Sequence, residues 1–366
     1  MPEEKLRPIY PIILCYTPLT DYPVDPEIPF RWGGDRRKRE NMKKRRKWRW
    51  CFYLLLGLAA CAGMVEKTTA IEVQAKVKVL KKDRTPVEPA NSDLKIVHPV
   101  TKLASRRWIQ SFTMDSQYYY YIQMTRPSHG DLRITRIKYR GLGKYSKAKM
   151  DLKGFGHATN LDCSVYNGKT YLWTGSNAAR GSDVSRAVSC FPFRKNSILR
   201  KKGPVYYRIP LGRNGKYVTN VYPAVNADST ELGVRFTYKN KQYYQIYRLT
   251  NGTQIDVGNP LQQVIVPMTS GDFQGFDLDN HTICTIEGSP RKSFLRGYDR
   301  RRVYQPTIIR KWNYATGQMS SRVIRGAKRL SFREPEGVKL FRNGKMQIMY
   351  VSHQLTNQSC NIYEVK

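Results

Sequence analysis

Acidic residues are scarce in this 366-residue chain: 28 Asp and Glu stand against 64 Lys and Arg, a formal net charge of +36. Long apolar runs are scarcer still. The one that stands out, residues 51–65, is shorter than the roughly 20 residues that span a bilayer, which excludes a polytopic membrane protein. Beyond it no stretch carries useful helical periodicity, which excludes a coiled coil or helix bundle. The five histidines (His98, His129, His157, His281, His353) form no His-Glu-x-x-His pair, and no Cys-x-x-Cys spacing suggests zinc. There is no Gly-x-Ser-x-Gly elbow. Gly141-Leu-Gly-Lys144 fails as a phosphate loop, with Lys138 where its first Gly belongs and Tyr145 in place of Ser or Thr. Asp277-x-Asp279-Asn280 lacks the Gly and the later Glu of a calcium loop and reads better as a hairpin turn. No metal, cofactor or catalytic set is therefore expected.

What is present argues for a folded polycation. With 40% hydrophobic and 12% aromatic residues the chain has the means to bury a core, unlike a disordered basic tail. Charge on this scale points to a polyanionic partner: nucleic acid, an anionic membrane surface or an acidic cell-wall polymer.

The N-terminal quarter reads as an address. Lys43, Lys44, Arg45, Arg46, Lys47 and Arg49 precede the apolar run, the order of a signal peptide, with small-residue cleavage patterns ending at Ala62 or Ala75. Leu58-Ala-Ala-Cys61 resembles a lipobox and would anchor a lipid on Cys61. An uncleaved membrane anchor is the competing reading. Residues 1–41 are expected to be an extension outside the translated protein, with Met42 as the start; residues 42–75 form the leader, 76–104 a linker and 105–366 the folded domain. Residues 1–75 carry a net of only +5, so about +31 belongs to the exported body. Cys163, Cys190, Cys284 and Cys360 remain there, as two disulfides in any of three connectivities or as buried thiols.

That body has a period of two. Residues 118–124 and 132–139 flank a turn at 127–131, and residues 161–166 and 170–174 flank Asn167-Gly168, a dipeptide that readily supplies two positive φ values. Similar turns follow at Asp228, Asn280 and Asn343, spaced 61, 52 and 63 residues. Each interval holds about four short strands, the content of one β-propeller blade. With the 118–139 hairpin as the first unit, the expectation is an all-β, five-bladed propeller behind a signal-peptide-like segment. A β-sandwich is the alternative. His157, Asn160, Tyr222, Gln274 and Glu336 stand at the start of the strand before each turn. They are candidates for a binding ring at one channel mouth, or for hydrogen bonds that tie blade to blade.

Gly154-Phe-Gly-His157 with Tyr171-Leu-Trp-Thr-Gly175, Gln274-Gly-Phe-Asp-Leu-Asp-Asn280 and Glu336-Gly-Val-Lys-Leu340 resemble the helveticin J family of class III bacteriocins, and the related propellers of teichoic-acid biosynthesis protein C and phage receptor-binding proteins. The resemblance covers residues 105–366. It implies a five-bladed propeller exported from a Gram-positive bacterium and acting at bacterial envelopes, and it brings no catalytic set.

Three basic clusters complete the picture. They are Arg194, Lys195, Arg200, Lys201 and Lys202; Arg291, Lys292, Arg296, Arg300, Arg301 and Arg302; and Arg322, Arg325, Lys328, Arg329 and Arg333. The planar fork of Arg suits phosphate. The leading expectation is a secreted or envelope-associated, bacteriocin-like propeller that binds teichoic acid or an anionic membrane surface without a cofactor. An envelope enzyme or biosynthetic factor using His157 and Glu336 as acid and base is the first alternative. A nucleic-acid binder is the second, although no specific nucleic acid is expected outside the cell.

Overall fold

A computed structural model describes residues 93–100, 103–105, 107–138, 148–211, 216–267, 271–289, 306–327, 330, 333–351 and 359–366. The leader, its basic block, Met42 and Cys61 lie outside the described residues.

The first strand, β1 (Leu94–Val100), belongs to the last sheet. Blade 1 then forms from β2 (Ile109–Met114), β3 (Tyr118–Arg126), β4 (Asp131–Lys138) and β5 (Ala148–Lys153). Blade 2 has β6 (Leu161–Tyr166), β7 (Lys169–Ser176) and β8 (Ala187–Pro192). The chain next crosses to lay β9 (Ser197–Arg200) parallel to β5 at the edge of blade 1, and returns with β10 (Val205–Tyr207) beside β8. Blade 3 is β11 (Tyr222–Val225), β12 (Glu231–Tyr238), β13 (Lys241–Arg248) and β14 (Gln262–Pro267). Blade 4 is β15 (Phe273–Asp279), β16 (Thr282–Glu287), β17 (Thr307–Asn313) and β18 (Met319–Ile324). Blade 5 is β19 (Glu334–Leu340), β20 (Met346–Val351), β21 (Cys360–Val365) and β1 outermost. The innermost strands β2, β6, β11, β15 and β19 pack on one another in a closed ring. This is the five-bladed propeller, and it excludes the sandwich.

Successive side chains of a strand point to opposite faces, so each blade feeds two seams. Tyr120, Ile122 and Met124 of β3 enter the seam with blade 2, while Tyr119 and Tyr121 enter the seam with blade 5. Five apolar clusters result among the described residues, one per pair of adjacent blades. The Asn167-Gly168 turn has the expected pair of positive φ values, 49° and 70°. Cys163, Cys190, Cys284 and Cys360 are buried and free. Burial pushes the Cys163 and Cys284 thiols up to about 12, so they are inert as nucleophiles.

The expected boundary between linker and domain moves. Residues 94–100, assigned above to the linker, form β1, which pairs antiparallel with β21 from Leu94–Val365 to Val100–Cys360 and closes the ring with a strand from the other end of the domain. Leu94 and Val100 are buried in the seams on either side of blade 5. Leu94→Ala should therefore cost about 2–4 kcal/mol of stability despite lying in a segment assigned to the linker, measurable by chemical denaturation. An unchanged midpoint would show that closure does not depend on β1.

Candidate functional site

Near the axis the innermost strands meet through polar side chains rather than through a packed apolar plug. Asp162 of β6 accepts the Cys163 N–H through Oδ1 (2.8 Å) and the Val225 N–H of blade 3 through Oδ2 (2.7 Å). Asp277 of β15 repeats this clasp with Leu278 N–H (2.9 Å) and Leu340 N–H of blade 5 (2.6 Å). Lys339 of β19 lies between the two carboxylates, 2.7 Å from Asp162 and 3.3 Å from Asp277, and donates to Val225 O. Thr113 of β2 donates to Asp162 (2.9 Å), so all five innermost strands join one network. Burial opposes the Lys339 ammonium, but Asp162 and Asp277 outweigh it and raise its pKa. Burial raises the Asp277 carboxyl well above the usual range, against the pull of Lys339.

Next to this belt, towards the start of the innermost strands, Asn160 reaches across the ring. Its Nδ2 donates to Pro223 O (2.8 Å) and Phe276 O (2.7 Å), and its Oδ1 accepts Phe276 N–H (2.9 Å). Gly275 leaves room for it, and Gly337 packs close against Gly275 on one side and Ser111 and Phe112 on the other. At φ 139° and 105° both adopt backbone that favours glycine, and a Cβ on Gly275 would lie 3.1 Å from Asn160 Oδ1 and 3.2 Å from Gly337 Cα. Asn160 is thus a tie between blades 2, 3 and 4, and the glycine of the 274–280 motif is its clearance.

The other candidate residues divide. His157 is at the surface, its Nδ1 2.7 Å from Asp183 Oδ2. Tyr222 is buried and donates to Asn220 Oδ1 (2.6 Å); burial raises its hydroxyl, so it stays neutral. Gln274 donates to Gly288 O (2.8 Å) and Glu334 Oε1 (3.3 Å). Glu336 is only 3% exposed, and its Oε2 has no partner among the described residues. Burial and then Glu334 drive Glu336 well above the carboxylate range, and burial brings Glu334 up to about 7. No hydrogen bond joins His157 to Glu336 among the described residues.

Of the basic clusters, Arg194, Lys195, Arg200, Lys201 and Lys202 are exposed on and around β9. Lys202 Nζ lies 3.8 Å from the Tyr206 ring centroid, and nearby Arg208 stacks 3.9 Å from Tyr217. Arg322 is exposed and donates to Lys366 O (2.5 Å); Arg325 is exposed beside it in sequence. Arg333 is corrected. It is 3% exposed, gives its guanidinium to Gly326 O, Ile324 O and Thr307 Oγ1, and lies over Tyr350, so it serves the blade 4–blade 5 seam and cannot form a surface site. Arg291, Lys292, Arg296, Arg300, Arg301, Arg302, Lys328 and Arg329 lie outside the described residues. The sequence reading missed Asp162, Asp277 and Lys339; the available signal was a charged residue between two apolar neighbours, Leu161 and Cys163, Phe276 and Leu278, Val338 and Leu340.

The sequence model of the phage 5-bladed beta propeller receptor binding platform domain matches residues 108–350. The chain is 27% identical over 260 residues to the putative major teichoic acid biosynthesis protein C of Bacillus subtilis (strain 168), covering 66% of this chain and 54% of that protein. It therefore spans about half the length of this curated relative. The tail fiber of Staphylococcus aureus phage P68 matches in fold with a TM-score of 0.55 at 16% identity, over 74% of this chain and 52% of that one.

Two outcomes follow from the buried charges. Lys339→Met leaves Asp162 and Asp277 facing each other in the interior and should cost about 3–5 kcal/mol at neutral pH, read by denaturant unfolding. Glu334 is raised on folding from 4.5 to about 7, so the folded state holds its proton across that window. Its contribution to stability is present below pH 4.5 and is lost as pH rises to 7. Glu334→Gln should flatten that decline in a melting-temperature series; identical slopes would show that the carboxyl is not perturbed.

Proposed function

The chain belongs to the phage 5-bladed beta propeller receptor binding platform domain family, and on that premise we propose that it recognises anionic polymers of the bacterial envelope, teichoic acid first among them. The observation that carries this reading is the exposed basic flank around β9 and β10. There Arg194, Lys195, Arg200, Lys201 and Lys202 stand beside the couples Lys202–Tyr206 and Arg208–Tyr217. A phosphodiester chain offers charge at regular intervals to the cations and apolar backbone to the rings. The relative from Bacillus subtilis, whose printed name concerns teichoic acid biosynthesis, supports the choice of polymer.

Export through the residue 42–75 leader, with cleavage or a lipid on Cys61, would place the domain outside the cell. A bacteriocin-like outcome, in which binding inhibits growth of related bacteria, rests on the helveticin J resemblance of the motifs at residues 154–157, 274–280 and 336–340. A growth-inhibition assay separates it from binding.

The binding claim is tested with isolated Gram-positive walls. The protein should bind native walls, release as salt rises, and lose binding on walls stripped of teichoic acid. The combined substitutions Arg200→Gln, Lys201→Gln and Lys202→Gln should weaken binding by roughly tenfold and shallow its salt dependence, since each removed cation withdraws one counterion contact. Equal binding to stripped walls sinks the polymer assignment.

A further inference from the structure

Rings steady two cations of the basic flank, and one guanidinium outside the three basic clusters is held in the same way. Arg136 lies on β4, on the face that Leu132 and Ile134 turn into the seam between blades 1 and 2. Tyr118, at the start of β3, and Phe193, after β8, pack on the same apolar cluster. The Arg136 guanidinium carbon lies 4.3 Å from the Tyr118 ring centroid and 4.5 Å from that of Phe193. Along this face Ile134 is buried, Arg136 is half-buried and Lys138 is exposed. Arg136 therefore sits at the rim, where the seam meets solvent.

Its donors are what set it apart. Among the described residues no acceptor and no carboxylate takes any nitrogen of Arg136, and none of these nitrogens is sealed from solvent. Asp115 acts with Arg136 on the Tyr120 hydroxyl, but both its oxygens are occupied. Oδ1 accepts the N–H groups of Gln117 (2.8 Å) and Tyr118 (2.7 Å), and Oδ2 the hydroxyls of Tyr120 and Thr170 (both 2.8 Å). The other acidic residues of blade 1, Asp131 and Asp151, are bound to Lys153 and Arg133. The remaining charged neighbours are cations: Lys138 on the same face, and Arg194 and Lys195 directly after Phe193, all exposed. With its flat faces turned to rings, the guanidinium keeps its in-plane edge for water or an external acceptor. That edge is the geometry that receives two oxygens of one oxyanion. The rings also restrict the side chain beforehand, so an anion bound here orders less than it would at a freely solvated lysine.

We propose that Arg136, set by Tyr118 and Phe193, is the anchoring fork of the basic flank and takes one phosphodiester of the envelope polymer. Lys138, Arg194 and Lys195 meet the charge on either side. A diester presents two unesterified oxygens to the two-pronged edge, and its esterified oxygens carry the chain on to the neighbouring cations. From this end β9 leads to Arg200, Lys201 and Lys202 at the other, a span of about 10 Å at the usual rise of a strand. The choice of polymer rests on the function proposed above; the anion site rests on a ring-held guanidinium that has no protein acceptor and is open to solvent.

The test follows the Arg136 Nε–H resonance in a nitrogen-15 spectrum of the full chain, assigned by its loss in Arg136→Lys or Arg136→Gln. Glycerophosphoglycerol should shift it in a saturable way, and galacturonate should shift it less at equal concentration. Phe193→Leu, which keeps the charge and the fork but removes a ring, should bind the diester about threefold more weakly. On native walls, Arg136→Lys keeps the charge and loses the fork. It should weaken binding about tenfold with an unchanged salt slope, whereas Lys195→Gln should shallow the slope with a smaller loss. That split separates a positioned fork from one more solvated cation. No saturable shift, a larger shift with galacturonate, or a loss in Arg136→Lys no greater than in Lys195→Gln overturns the site. Wall binding without a diester shift overturns this site and leaves the proposed function standing; a diester shift without wall binding does the reverse.

Discussion

One ammonium group, that of Lys339, sits between Asp162 and Asp277 at the place where the five innermost strands converge. A propeller forces this problem on its chain. The inner strands bring side chains towards a common axis, and the polar groups buried among them need hydrogen-bond partners, which here come from neighbouring blades. Here each carboxylate accepts its own strand's next N–H and then an N–H of the following blade, and both inter-blade clasps span 63 residues. An ion network of this kind is weak grounds for net stability, because desolvation opposes the attraction. Its stronger consequence is register: a strand slipped by one residue would strand a charge in the interior.

From that centre the rest of the architecture follows outward. The belt sets the innermost strands, alternating side chains carry the blades into five apolar seams, and β1 supplies the outer strand that β21 would otherwise lack. Charge is sorted along the same radius. Inside, Lys339, Arg333 and Arg310 have fixed partners. Outside, around β9 and β10, cations are paired with rings rather than carboxylates, which leaves them free to meet an external polyanion. Among the polar residues before the turns, Glu336 is a buried carboxyl raised well above the usual range, His157 is hydrogen-bonded to Asp183, and Asn160 ties three blades.

Much of the fold was legible because its signals are local. Asn167-Gly168 imposes its turn within two residues, and period-two patterning marks a strand within six or eight. The blade count came from repeating those signals. β1 was missed because nothing in its short sequence shows that its hydrogen-bonding partner lies at the opposite end of the domain. The position of Asn160 before a turn left a binding ring and a blade-to-blade tie both open, and its hydrogen bonds to residues 63 and 116 positions away make it the tie. Arg333 reads like any other basic residue, yet it points into a seam.

By itself, then, the sequence determined the strand content, the hairpin turns, the fivefold repetition and the sign of the surface charge, because each is set by neighbours along the chain or by composition. Only the tertiary structure decided which charges are solvated and which are structural. Inward and outward on a strand differ by a single residue, and the groups that satisfy Lys339 arrive from 62 and 177 residues away.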